Sequence, residues 1–133
     1  MLAPPWDAVR LTVHVLAATV WVGGQLTLAA LVPVLRRRDP ELPRVAAAAF
    51  ARVAWPAYGV LVATGIWNVV AVQPDADRAY QAVLGLKVAV VAASGLTAWA
   101  HARARTTTGL AVYGALTGLT AMSAVLLGVL LAG

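Results

Sequence analysis

Few side chains in this sequence can do chemistry. It has no cysteine, only two histidines (His14 and His101) and only two methionines (Met1 and Met122). Disulfides, zinc–thiolate sites and thiol redox chemistry are therefore excluded. His14 stands near the start of an otherwise uncharged apolar run, where an ionisable side chain is a functional candidate by default. Lys87 is the one charge inside another such run, and Asn68 lies near the end of a third. Trp21 lies on the His14 face of the first run. An imidazole can coordinate a metal or haem iron, and an ammonium can neutralise or orient an anionic group. Plainer readings are a neutral His14 bonded to a backbone carbonyl or to Asn68, and a Lys87 that snorkels to the interface at little cost.

The elements that position these residues follow from composition. Hydrophobic residues make up 62% of the 133 positions and charged residues only 11%, with a mean hydropathy of +0.83. A soluble domain is about half apolar and a quarter charged, so a soluble enzyme and a disordered chain are both excluded. The net charge of +5 comes from short basic clusters between apolar runs, with no basic groove and no interleaved aromatic platform. Nucleic acid is not the implied partner; the lipid bilayer is.

Four apolar spans are legible, at about 11–34, 45–72, 82–101 and 109–132. The first, Leu11–Val34, would be about 36 Å long as a helix, enough to cross a bilayer with some tilt. It is too long for a signal-peptide core and reads as a retained transmembrane helix. The membrane part of the second is Val53–Val72, with Pro56 expected to kink it. The connectors Leu35–Arg44, Gln73–Gln81 and Ala102–Thr108 are short, which makes successive helices antiparallel. The expected fold is an all-α integral membrane protein: one domain over 1–133, built as an up-down bundle of four transmembrane helices. Arg36, Arg37, Arg38 and Arg44 in the first connector, with Arg103 and Arg105 in the third, outnumber Arg10 and Arg78 on the other side. The positive-inside bias puts the first and third connectors in the cytoplasm and both termini on the extracytoplasmic side.

Helical phase groups the polar residues. His14, Ala18, Trp21 and Gln25 fall within about 60° of one another. Ala57, Leu61, Thr64 and Asn68 share a face of the second span, as do Lys87, Ser94, Ala98 and His101 on the third. On the fourth, Tyr113, Thr117, Thr120 and Ala124 do the same, and cross-helix hydrogen bonds are expected from such stripes. His14, Asn68 and Lys87 lie at similar depth below the outer surface, which defines a candidate cofactor site of His14, Trp21, Asn68 and Lys87 with His14 as the metal ligand. His101 borders a basic connector near the opposite face and reads as an interfacial residue. Arg52 reads as a snorkelling charge, and Trp6, Trp55, Trp67 and Trp99 read as an aromatic belt. Gly114 and Gly118 form a GxxxG step that suits packing within the bundle or a homodimer. Gly23 and Gly24 would let a helix or a flat cofactor approach the backbone.

The run His14–Gly24, HVLAATVWVGG, resembles the first-helix signature of the copper resistance protein D (CopD) family, a histidine followed by Trp-x-Gly-Gly. The arginine-led second span with Thr64, Gly65 and Asn68 resembles that family's Thr-Gly-x-x-Asn helix, and Tyr80 and Lys87 resemble its third. The match covers about residues 9–105. It implies copper homeostasis or uptake at the cytoplasmic membrane, with a periplasmic or other extracytoplasmic copper-binding protein as a possible partner. More distantly, the chain is similar to HemJ-type protoporphyrinogen oxidases, small four-helix membrane proteins with a first-helix histidine and a third-helix lysine. That likeness implies haem b, with enzymatic activity only as a haem-dependent membrane oxidoreductase. Copper and haem b thus compete for one site. A third reading is a ligand-free accessory subunit that acts through its helix faces.

Overall fold

A computed structural model describes residues 4–72 and 77–133. Helix α1 runs from Pro5 to Arg38, with a π-helical segment, Thr19–Gly23, between α-helical Pro5–Ala18 and Gly24–Arg38. Helix α2 spans Leu42–Val72, α3 Arg78–Arg103 and α4 Thr107–Ala132. The described residues are 93% helical and include no strand, so the backbone satisfies its own hydrogen bonds nearly throughout, as lipid requires. All four helices are long and apolar enough to cross a membrane. Pro56 lies inside α2, which continues through it from Leu42 to Val72.

The helices run past the apolar spans into the flanking polar sequence, and specific residues stop them. Asp39 is extended (φ −157°, ψ 131°), as a residue before proline prefers, and its carboxylate accepts from the Glu41 amide at 2.8 Å. Arg36, Arg37 and Arg38 fill the last turn of α1, where positive charge meets the negative end of the helix dipole. Asp77 caps α3 by accepting from the Tyr80 amide at 2.7 Å. Thr106 caps α4 by accepting from the Gly109 amide at 3.0 Å. Within the expected connector Gln73–Gln81, positions 73–76 lie outside the described residues, and α3 begins at Arg78.

The chain forms two compact units, Met1–Asn68 and Val69–Gly133. In the first, α1 and α2 are antiparallel neighbours: Gly24 faces Phe50, Trp21 meets Trp55 and Tyr58, and His14 meets Thr64 and Gly65. A Cβ at Gly24 would collide with the Phe50 ring, so this glycine permits the close approach of the two helices. In the second unit, α3 and α4 are antiparallel in the same way, with Lys87 against Gly128 and His101 against Gly114.

Small and polar side chains fill the contacts within each unit. Arg10, Ala17 and Trp21 are buried on α1, and Ala54, Leu61 and Thr64 on α2. Ser94 and Gly95 are buried on α3, and Thr117 and Ala121 on α4. Tyr113, expected on the inner stripe of the fourth helix, is instead exposed, because the buried row passes through the neighbouring Gly114 to Thr117 and Ala121. The hydroxyls of that stripe also differ from expectation. Thr117 donates to the Tyr113 carbonyl and Thr120 to the Leu116 carbonyl, each at 2.7 Å, so they satisfy themselves on their own helix. Leu16, Val70, Leu96, Leu119 and Val129 are 60–69% exposed, an apolar exterior that suits lipid and not water.

Candidate functional site

The site is built on the facing sides of α1 and α2. His14 is half-buried, and its Nδ1 lies 2.8 Å from Thr64 Oγ1. The Thr64 hydroxyl also lies 2.7 Å from the Val60 carbonyl and 3.2 Å from that of Leu61. A carbonyl only accepts, so the single hydroxyl hydrogen of Thr64 is directed to Val60. The Thr64 oxygen then accepts, and His14 Nδ1–H donates. This fixes the tautomer: the lone pair of the imidazole is on Nε2. Holding one ring nitrogen as a donor so that the other can coordinate is how proteins orient metal-ligating histidines. Thr64, not Asn68, supplies that bond, and Gly65 leaves room for the ring, since a Cβ there would lie 3.6 Å from His14 Cε1.

One turn from His14 toward the N-terminus is Arg10, which flanks the first apolar span. It is only 6% exposed. Its Nη2 pairs with Asp7 Oδ1 at 2.9 Å, while Nε and Nη1 are buried with no hydrogen-bond partner. The antiparallel register of α1 and α2 puts Arg10 level with Asn68, one turn beyond the His14–Thr64 pair on each helix. Asn68 is half-buried, and its Oδ1 is likewise buried and unpartnered. The signal for Arg10 was in the sequence all along. It precedes His14 by four residues and so shares its face, but a charge count groups it with Arg78 among the bases that flank the apolar runs.

Deeper along α1, Trp21 is 3% exposed. Its ring centroid lies 4.5 Å from that of Tyr58 and 5.4 Å from that of Trp55, with Trp55 and Tyr58 5.9 Å apart. Trp55 thus belongs to this aromatic cluster, a correction to its reading as an interface residue alone. Trp21 sits within the π-helical turn Thr19–Gly23, a wide turn of the kind that recurs at functional sites. Beyond it, the Gln25 Nε2 is buried and unpartnered.

The other candidate residues belong to the second unit. Lys87 is half-buried, and its Nζ lies 3.0 Å from where a Cβ of Gly128 would stand. His101 donates from Nδ1 to the Leu110 carbonyl at 3.0 Å, and its ring fills the space left by Gly114, 3.1 Å from a Cβ there. His101 therefore ties the end of α3 to the start of α4. Arg103 lies over the Trp99 ring at 4.1 Å, a cation–π contact. Met122 is exposed on α4. Among the described residues no group of three or more His, Cys, Asp or Glu side chains is placed to hold a metal ion.

The four helices define a class, a chain with the helices of a multi-pass membrane protein. Comparison with family models, with curated proteins and with solved structures gives no match to this chain. The chemistry must therefore be argued from the site. Its means are one oriented imidazole, a buried arginine one turn from it on α1, an asparagine one turn from Thr64 on α2, and an aromatic cluster on the other side of the imidazole.

Proposed function

We propose that this chain is a multi-pass protein of the cytoplasmic membrane that holds haem b through His14 in its extracytoplasmic half. The observation that carries this reading is the His14–Thr64 bond, which orients a half-buried imidazole on the facing sides of α1 and α2. The donor set favours haem over a bare copper ion. Copper(I) selects sites rich in thiolate, thioether and imidazole, and among the described residues no group of three or more His, Cys, Asp or Glu side chains is placed to hold a metal ion. Haem brings four nitrogen ligands of its own, so a single imidazole from the protein would suffice to hold it. His14 would hold the iron, and the group would supply one-electron chemistry. The basic residues Arg36, Arg37, Arg38, Arg44, Arg103 and Arg105 support cytoplasmic first and third connectors, with both termini outside.

Copper homeostasis, with an extracytoplasmic copper-binding partner, is the second reading. It is favoured by the residues around His14: Trp21, Thr64, Gly65 and Asn68, which carry the CopD resemblance, all lie on the two helices that frame it. The test is a visible spectrum of the detergent-purified protein from haem-replete cells, oxidised and then reduced with dithionite. A Soret band with shifting α and β bands, absent in His14→Ala, is the expected result. A featureless spectrum from wild type, with copper retained in proportion to His14, would replace the haem reading with the copper one.

A further inference from the structure

We infer that Arg10 and Asn68 form an oxyanion-recognition site, one helical turn outward of His14, for a carboxylate or phosphate group. Arg10 is unlike the other arginines of the chain. Arg36, Arg37, Arg38, Arg44, Arg52, Arg78, Arg103 and Arg105 are all exposed, whereas Arg10 is 6% exposed. A long basic side chain near a helix end normally snorkels into water. Arg10 reaches toward Asp7 yet stays buried, so its guanidinium is not solvated as a snorkelling charge would be. Asp7 does not satisfy it in full: that carboxylate, itself 43% exposed, engages Nη2 alone. Nε and Nη1 stay buried and unpartnered, and native proteins seldom leave such groups unsatisfied.

The second observation is independent. Asn68, on the neighbouring helix, carries a buried and unpartnered Oδ1, and the register that pairs His14 with Thr64 brings it level with Arg10. A guanidinium with two spare N–H donors is suited to an oxyanion, and the Asn68 carboxamide adds a donor when its NH2, in place of the Oδ1 acceptor, is turned toward the group. At this depth the group has two sources, a carboxylate of the ligand that His14 holds or the headgroup phosphate of a lipid. The first source rests on the haem reading; the site itself does not.

The experiment uses the full chain in detergent with two arms. In the first, apoprotein is titrated with haem b and with its dimethyl ester, which keeps the iron and loses both carboxylates. Expected is at least tenfold tighter binding of the free acid by wild type, abolished in Arg10→Gln and Asn68→Asp, with the ester unchanged. The Asn68→Asp variant gives Arg10 an internal carboxylate, so it keeps the charge satisfied while blocking an outside oxyanion. In the second arm, native mass spectrometry counts phospholipids retained by each protein. Loss of a bound phospholipid in both variants, with no acid-over-ester preference in wild type, assigns the site to lipid phosphate. If the variants match wild type in both arms, the buried groups are bridged by water and the proposal is overturned. If wild type takes up neither haem nor ester, the haem reading fails and the lipid arm alone decides the oxyanion site.

Discussion

Replacing Thr64 by valine tests the center of the site with almost no change in shape. Valine keeps the volume of threonine and removes the oxygen that accepts from His14 Nδ1 at 2.8 Å. The Val60 carbonyl loses only the extra hydroxyl contact at 2.7 Å and remains in the helix ladder. Two costs follow for His14. A buried N–H left without an acceptor is destabilising by about 1–3 kcal/mol. The ring is also no longer held in the tautomer that presents Nε2. Loss of such supporting bonds lowers metal affinity by about 10–100-fold, or about 1.4–2.8 kcal/mol at 25 °C. Thr64→Ser keeps the hydroxyl and should stay within about threefold of wild type by the same reasoning. The assay is equilibrium titration of apoprotein with haem, followed by the Soret difference, with helicity by circular dichroism as the folding control. Equal affinity in wild type, Thr64→Val and Thr64→Ser would show that the bond does not prepare His14 for a ligand.

Gly24→Ala should destabilise the α1–α2 pair, because the new Cβ meets the Phe50 ring. Overpacking of this kind costs about 1–3 kcal/mol against a gain of under about 1 kcal/mol in helix propensity, and thermal unfolding in detergent should show a lower midpoint; a raised one would refute the contact. Gly114→Val should likewise lower the midpoint by displacing the His101 ring, whereas Gly118→Ala, with nothing within 4 Å of the new Cβ, should be neutral or slightly stabilising. If Gly118→Ala is instead destabilising and reduces dimer in cross-linking, a second copy packs on that face. Single cysteines at Asp77 and Thr107 should differ in intact cells, with membrane-impermeant maleimide labelling Asp77→Cys and sparing Thr107→Cys. The reverse pattern would invert the proposed orientation.

What the sequence made legible is what lipid imposes. The four spans, the small-residue faces and the antiparallel succession within each unit follow from a medium that cannot satisfy backbone groups. Helix ends were harder, because hydropathy marks apolar residues and not helix. Leu35–Arg38 and Leu42–Arg44 are helical although polar residues crowd them, and the break falls only where Asp39 precedes Pro40. The π-helical turn at Trp21 has no sequence signal that periodicity can read, since it changes the phase on which periodicity depends. Thr64 was recognised as part of a face but not as the partner of His14. Its hydroxyl, like those of Thr117 and Thr120, bonds back to its own helix, and only the pairing of α1 with α2 reveals what else it does.

The two histidines show why hydrogen bonding alone does not define a ligand site. The carbonyl of Leu110 can only accept, so His101 donates from Nδ1 and its lone pair, too, is on Nε2. The difference is in what surrounds each ring. His101 fills the space left by Gly114 and bonds to backbone across a three-residue link, Ala104–Thr106, which is the work of a brace between two helix ends. His14 bonds to a side chain on another helix, 50 positions further along the sequence. It also shares its end of the unit with a buried arginine whose Nε and Nη1 lack partners and an asparagine whose Oδ1 does. A brace needs every polar group near it satisfied, because each buried orphan weakens the packing it is meant to secure. Arg10 and Asn68 leave such orphans beside an oriented imidazole, so the α1–α2 end carries a packing cost that the His101 brace does not.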